Sequence, residues 1–149
     1  MLKRVDRVQI AVADGNAAEK VVAEVFGGEL VRRDKAAPLA AKRTTMQAGT
    51  SMIELLEPDG SGAVSDFLSK WGGGLFGAGF SVDDLDAAAH HLAKCGVNLD
   101  QSAGQLFLDS CATVGMRTLI SQHHERVPVG AIKRRRWPQS DRRFKRARA

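Results

Sequence analysis

Two stretches about seventy residues apart carry the same pattern, and that repeat limits what the chain can fold into. Residues 7–14 read RVQIAVAD and residues 77–84 read GAGFSVDD. Both share the spacing apolar, x, apolar, x, Val, x, Asp, and both run into a segment of helical periodicity. A strand, an Asp cap and a helix in each copy point to a fold made from one unit used twice.

The first unit can be read element by element. Residues 5–12 alternate with period two, placing Val8, Ile10 and Val12 on one face and Arg7, Gln9 and Ala11 on the other, as in a half-buried strand. Asp14 caps a helix whose Val21, Val22, Val25 and Phe26 fall at helical spacing, and Gly27-Gly28 stops it. Residues 29–33, 42–47 and 51–56 read as three short strands, the last two joined by a turn at Ala48-Gly49-Thr50. A connector comes next, with Val64, Phe67, Leu68 and Trp71 at the spacing of a short helix ended by Gly72-Gly73-Gly74.

The order then recurs. Residues 75–82 form a strand, Asp83 and Asp84 a cap, and Leu85, Ala88, Leu92 and Ala93 the inner face of a helix ended by Gly96. Strands are expected at 98–101, 105–108 and 116–121. The reading is an α+β domain over 1–122, made of two βαβββ modules (about 1–58 and 74–122, with a connector at 59–73) that form a curled mixed sheet around a cleft. Helices cover its outer faces.

Composition separates this domain from the C-terminal residues. Apolar residues make up 44% of 149, enough for one core. The formal net charge is +5, but it is unevenly distributed. Residues 126–149 hold ten Lys or Arg and one acid, Asp141, leaving twelve basic and sixteen acidic side chains in 1–125. The basic character therefore belongs to a C-terminal tail at 123–149, and the body is mildly acidic. Arg and Lys interleaved with Trp137 and Phe144 could contact nucleic acid or an acidic partner surface, and a solvated extension is the favoured reading. Nothing approaches the roughly 18 uninterrupted apolar residues of a membrane helix, and no signal-peptide h-region stands after Met1, so a soluble cytoplasmic protein without membrane contact is expected. Cys95 and Cys111 read as reduced thiols. His90-His91 and His123-His124 are adjacent pairs; neighbouring helical positions diverge by about 100°, so His90-His91 reads as surface rather than as a chelate.

The stretches VDRVQIAVAD, MIELLEP with AVSDFLSKWG, and GLFGAGFSVDDLDAAAHHLAKCGV resemble the vicinal oxygen chelate superfamily of glyoxalases, bleomycin-resistance proteins and extradiol dioxygenases, and most closely the methylmalonyl-CoA epimerases. In metal-dependent members each module supplies one ligand from its first strand, usually His, and one from its last, usually Glu. Carried onto this chain, those positions fall on Arg7, Gly77, Glu54 and Leu119. Only Glu54 is a metal donor, so no metal and no other cofactor is expected.

The resemblance thus implies an Arg7–Glu54 ion pair where an ion would sit. Either the two merely neutralise each other in a vestigial site or they take part in ligand binding. Arg117 is a second candidate cation for a carboxylate, phosphate or thioester, with Gln9, Met52 and Ser121 on the same face. Gly77 and Gly79 either widen the cavity or allow close packing.

The favoured expectation is a metal-independent small-molecule-binding protein, homodimeric as is the family's habit. Its ligand would be anionic or acyl-CoA-like and held by Arg7, Gln9, Met52, Glu54, Arg117 and Ser121. The rival is an epimerase, isomerase or lyase acting on an acyl-CoA or other carbonyl compound, with Glu54 as general base and Arg7 stabilising an enolate.

Overall fold

The computed structural model describes residues 1–122; the basic tail and His123-His124 lie outside the described residues. Module one comprises β1 (Leu2–Ala11), α1 (Gly15–Phe26), β2 (Glu29–Ala36), β3 (Ala41–Ala48) and β4 (Ser51–Pro58). A helix, α2 (Ala63–Trp71), connects it to β5 (Gly74–Val82), α3 (Leu85–Lys94), β6 (Leu99–Ser102), β7 (Gln105–Leu108) and β8 (Arg117–Gln122). The strands form one sheet in the order β2-β3-β4-β1-β5-β8-β7-β6. Within each module the first and last strands pair in parallel, β1 with β4 and β5 with β8, while β1 and β5 join the modules antiparallel.

The duplication is visible down to its caps. Asp14 accepts a hydrogen bond from the Ala17 amide at 2.9 Å and Asp84 from the Ala87 amide at 2.8 Å. Their backbones agree within a few degrees, at φ −131°, ψ 105° and φ −131°, ψ 109°. Each carboxylate satisfies an amide that the first helical turn leaves unpaired.

Apolar clusters on both faces hold the sheet. Val22 of α1 packs with Met46 and Leu55, with Ala18 of the same helix and Ile10, Val12 and Ile53 partly buried around them. Val82, Leu85, Ala88, Leu106, Leu108 and Ile120 do the same beneath α3. The opposite face of the sheet curls inward. There Ala11, Ala41, Leu56, Phe76, Phe107 and Leu119 from both modules meet Val64 of α2, with Ala63, Phe67 and Leu68 partly buried against them. α2 therefore closes one end of the curl, and the other end is left to polar side chains.

Several expectations are corrected by this packing. The alternation of β1 is present, but the deeper face is the polar one: Arg7, Gln9 and Ala11 are buried, because their face is the inside of the curl, while Val8, Ile10 and Val12 are partly exposed. In α1 only Val22 of the apolar set is buried, while Val21, Val25 and Phe26 are exposed, since one narrow stripe suffices to cover β3 and β4. Trp71 and Ala93 also face outward, and Leu92 is partly buried. Most strands run one to three residues longer than the alternation suggests, β1 starting at Leu2 and β2 ending at Ala36.

Candidate functional site

Strand pairing alone sets the centre of the curl. Gln9 of β1 stands beside Glu54 of β4, and the equivalent pair in module two is Gly79 beside Leu119. Across the junction between modules Arg7 faces Gly79 and Gln9 faces Gly77. The register thus places Leu119 at the counterpart of Glu54 without a gap. It also settles the role of the glycines. A Cβ at Gly79 would overlap Cγ, Cδ and Nε of Arg7, and one at Gly77 would come within 2.6 Å of the Arg117 carbonyl and 3.2 Å of Gln9 Oε1. The missing side chains make room for Arg7 and Gln9 rather than for an open cavity.

Those two residues build a network around a carboxylate that is 0% exposed, Glu54. Arg7 Nη1 donates to Glu54 Oε1 at 3.0 Å and Gln9 Nε2 to Glu54 Oε2 at 2.9 Å. Arg7 also grips Asp6 through Nε at 3.0 Å and Nη2 at 3.2 Å, and reaches Ser121 Oγ on β8 at 2.8 Å. Sequence neighbours on a regular strand point to opposite faces. Asp6 can meet Arg7 because Val5 pairs with Phe80 and Arg7 with Gly79, leaving Asp6 as the extra residue of a bulge.

A second buried guanidinium, Arg43 of β3, lies 3.7 Å from Glu54 Oε1 through Nη1. The same Nη1 crosses the curl to Gln105 Oε1 of β7 at 2.8 Å, and Nε and Nη2 hold Asp34 at 2.7 Å each. Burial by itself would lower the pKa of Arg7, but hydrogen bonding to Asp6 and the charge of Glu54 outweigh it and the value is raised. Arg43 behaves in the same way: burial opposes its charge, Asp34 and Glu54 restore it, and the value is again raised. The hydrogen bonds from Arg43 hold Asp34 below the ordinary carboxylate value, against a smaller opposing effect of burial. Two hydroxyls at the same depth, Thr45 Oγ1 and Ser81 Oγ, have no hydrogen-bond partner among the described residues.

Of the residues expected to line a cleft, the structure joins Arg7, Gln9, Glu54 and Ser121 in one buried network, while Met52 and Arg117 are half-buried at its margin. The guanidinium of Arg117 lies 4.9 Å over the ring of Phe76. Sequence reasoning alone misses Asp6, Arg43, Gln105 and Asp34. Arg43 had a signal, since it shares strand parity with Thr45 while Met46 takes the apolar side. The bulge that turns Asp6 inward had none. His90 and His91 are exposed on α3, and His91 Nε2 lies 3.7 Å from Cys95 Sγ.

The donor set does not suit a divalent ion. Glu54 has both oxygens engaged by protein cations or amides, Gly77 brings no side chain, Leu119 brings a hydrocarbon and Arg7 a cation. Among the described residues no group of three or more His, Cys, Asp or Glu is arranged to hold a metal.

A duplicated βαβββ sheet with its polar centre at the junction of the two modules defines a class of protein, and the sequence match specifies it further. Residues 6–109 match the family model described as the Glyoxalase/Bleomycin resistance protein/Dioxygenase superfamily, and the chain belongs to that superfamily. Among solved structures it is similar to Streptomyces coelicolor methylmalonyl-CoA epimerase in complex with 2-nitronate-propionyl-CoA, at 23% identity and TM-score 0.72, over 82% of this chain and 98% of that one. It is also similar to methylmalonyl-CoA epimerase from Mycobacterium tuberculosis, at 22% identity and TM-score 0.73, over 83% and 90%. A methylmalonyl-CoA epimerase in complex with methylmalonyl-CoA and NH4+ aligns at 23% identity and TM-score 0.72, over 82% and 95%. At these identities the likeness shows the fold. A search of curated proteins gives no match. No helix among the described residues is long and apolar enough to cross a membrane.

Proposed function

We propose that this chain is a metal-independent small-molecule-binding member of its superfamily, acting as a homodimer, in which the ancestral metal position has become a structural ion pair. One observation carries the reading: the Glu54 carboxylate is fully buried, with one oxygen bound by Arg7 and the other by Gln9. A carboxylate so held and 0% exposed presents no open face to a ligand, and freeing it would break its bonds to Arg7 and Gln9. Ligand contacts then fall to the margin of the network, where Arg117 and Met52 are half-buried. The acyl-CoA-type ligands of the similar epimerases support a small anionic ligand for this chain as well.

Metal analysis and thermal-shift screening of purified full-length protein test this together. Sub-stoichiometric metal, no change in melting temperature with EDTA, and stabilisation by members of a library of acyl-CoAs, carboxylates and aromatic compounds are expected. One bound divalent ion per chain that disappears in Glu54→Gln would overturn the metal-free reading.

A second reading is favoured by the epimerases among the similar structures: an epimerase, isomerase or lyase acting on an acyl-CoA, with Glu54 as base. It requires the Arg7–Glu54 and Gln9–Glu54 bonds to open on substrate entry. Solvent deuterium incorporation into methylmalonyl-CoA is the assay. Exchange by the native protein that is lost in Glu54→Gln would establish this reading in place of the first.

A further inference from the structure

The outer face of the sheet holds a groove that is separate from the inner network. α1 lies over β3 and β4, so the edge strand β2 runs on beyond the helix. Between the first turn of α1 and these strands is a space of about 390 Å³, whose wall includes Asn16, Arg33, Lys35, Lys42, Thr44 and Glu57. Strand register gathers the last five. Lys35 stands beside Lys42 and Arg33 beside Thr44 across the β2–β3 ladder, and Lys42 stands beside Glu57 across β3–β4. All five therefore share the face that carries α1.

The charge of this wall is out of balance. Arg43 and Asp34 also touch the groove but satisfy each other, at 2.7 Å through both Nε and Nη2. That leaves, among the described residues, three cations in the wall, Arg33, Lys35 and Lys42, against one carboxylate, Glu57. Like charges directly opposite each other on a ladder repel, so fold stability does not favour Lys35 beside Lys42. Each cation has a partner in the chain: Glu19 for Arg33, Asp59 for Lys35 and Glu57 for Lys42. Glu19 and Asp59 stand outside the groove wall, and all three cations are more than half exposed. Ion pairs between such exposed side chains hold weakly in water, so an anion in the groove draws the cations inward at little cost.

Two neutral groups complete the wall. The Asn16 amide and the Thr44 hydroxyl make no side-chain hydrogen bond to the described residues, and they offer donors and acceptors to a hydroxylated ligand. The Gly15 amide is already engaged: it donates to Glu57 Oε2 at 2.8 Å, while Lys42 Nζ donates to Oε1 at 3.1 Å. The helix terminus thus carries its own carboxylate, and the capacity for a further anion lies with the cations of β2 and β3.

We propose that this groove binds a small hydroxylated phosphate monoester, a sugar phosphate in size and chemistry. Lys35 and Lys42 hold the phosphate as point charges, the Arg33 fork holds it bidentately, and Asn16 and Thr44 hydrogen-bond the hydroxyls. The excess of two positive charges in the wall matches a phosphate dianion. The volume is more than a phosphate alone fills and falls in the lower part of the range of about 300–1,000 Å³ usual for small-molecule sites. Glu57 opposes the ligand and limits its affinity. The site lies on the opposite face of the sheet from the Arg7–Glu54 network, so it goes beyond the binding reading and stands or falls independently of it.

Titration calorimetry on full-length protein is the test, with glucose 6-phosphate and glycerol 3-phosphate as ligands and glucose and inorganic phosphate for comparison. Native protein is set against the double variant Lys35→Gln/Lys42→Gln and against Glu57→Gln, whose amide oxygen still accepts from Gly15. The esters are expected to bind and glucose is not. The double variant weakens ester binding by about ten-fold at an unchanged unfolding midpoint, and Glu57→Gln tightens it several-fold. Should the double variant fold poorly, Arg33→Gln takes its place and weakens binding where Glu57→Gln tightens it. Equal affinity in the native protein and the charge variants puts the phosphate on another basic part of the chain and overturns the groove site. Inorganic phosphate bound as tightly as the esters, or no binding of either ester at millimolar concentration, overturns the ligand assignment.

Discussion

Removing Arg7 should cost more than removing Glu54, the carboxylate it pairs with. In Arg7→Met, Glu54 keeps Gln9 at 2.9 Å and Arg43 at 3.7 Å, but Asp6 loses both hydrogen bonds from the guanidinium and Ser121 loses its donor. Arg7 is a cation shared by two buried carboxylates, Asp6 and Glu54, and breaking buried pairs from one side costs about 3–5 kcal/mol. In Glu54→Leu the two guanidiniums each retain a carboxylate, Arg7 through Asp6 and Arg43 through Asp34, and the main loss is the acceptor of Gln9. That is one unsatisfied polar group, about 1–3 kcal/mol. The double variant should fall short of the sum by roughly 1–3 kcal/mol, because the shared contact is counted once. Urea unfolding monitored by circular dichroism, with slopes compared as a check on the two-state treatment, measures all three. Arg7→Met within about 1 kcal/mol of native, or strict additivity in the double variant, would show that the pair carries no structural weight.

The glycines offer a cleaner contrast. Gly79→Ala should destabilise by about 1–3 kcal/mol through overpacking, and because every close atom belongs to the Arg7 side chain, combining it with Arg7→Ala should remove that increment. Gly77→Ala meets the Arg117 carbonyl, so truncating Arg117 should not relieve it. Asp34 has its pKa held below the ordinary 3.8 by hydrogen bonds from Arg43. A depressed carboxylate stabilises the fold above its unfolded value and loses that contribution as pH falls through the folded one. Asp34→Asn should therefore lower stability in the neutral range, where the ionised carboxylate contributes, and flatten the acid limb so that the variant and the native protein converge as pH falls below about 4, as read from urea midpoints at stepped pH. Asp14→Ala and Asp84→Ala should each cost about 0.5–2 kcal/mol in the same assay, and nearly the same amount, since the caps share one geometry.

The architecture was legible because it is written twice. A strand, an Asp cap and a helix at 7–26 return at 77–94, and the capping residues adopt matching backbone angles. The resemblance brought Arg7 and Glu54 to one site, and they stand 3.0 Å apart. What alternation does not reveal is which side ends up deeper. Arg7, Gln9 and Ala11 carry less apolar surface than Val8, Ile10 and Val12, yet curvature folds their face inward and buries it. The Arg43–Gln105 bond spans 62 residues across the curl. It depends on how far the sheet bends, which neither register nor propensity encodes. The exposed Val21 and Val25 illustrate the same gap from the outside, since periodicity finds a helix face but not how wide a stripe the sheet beneath will cover.

The facing of Arg7 with Gly79 and of Gln9 with Gly77 has an evolutionary edge. Two copies of one ancestral unit begin interchangeable: either could pair with itself. Here one copy has grown side chains into hollows that only the other provides. A first module set against a second first module would bring Arg7 opposite Gln9, with no hollow on either side to receive them. The halves have become a plug and its socket, so recognition between unlike modules is recorded in a pair of absent side chains. A compensating change in one half now has to be sought in the other.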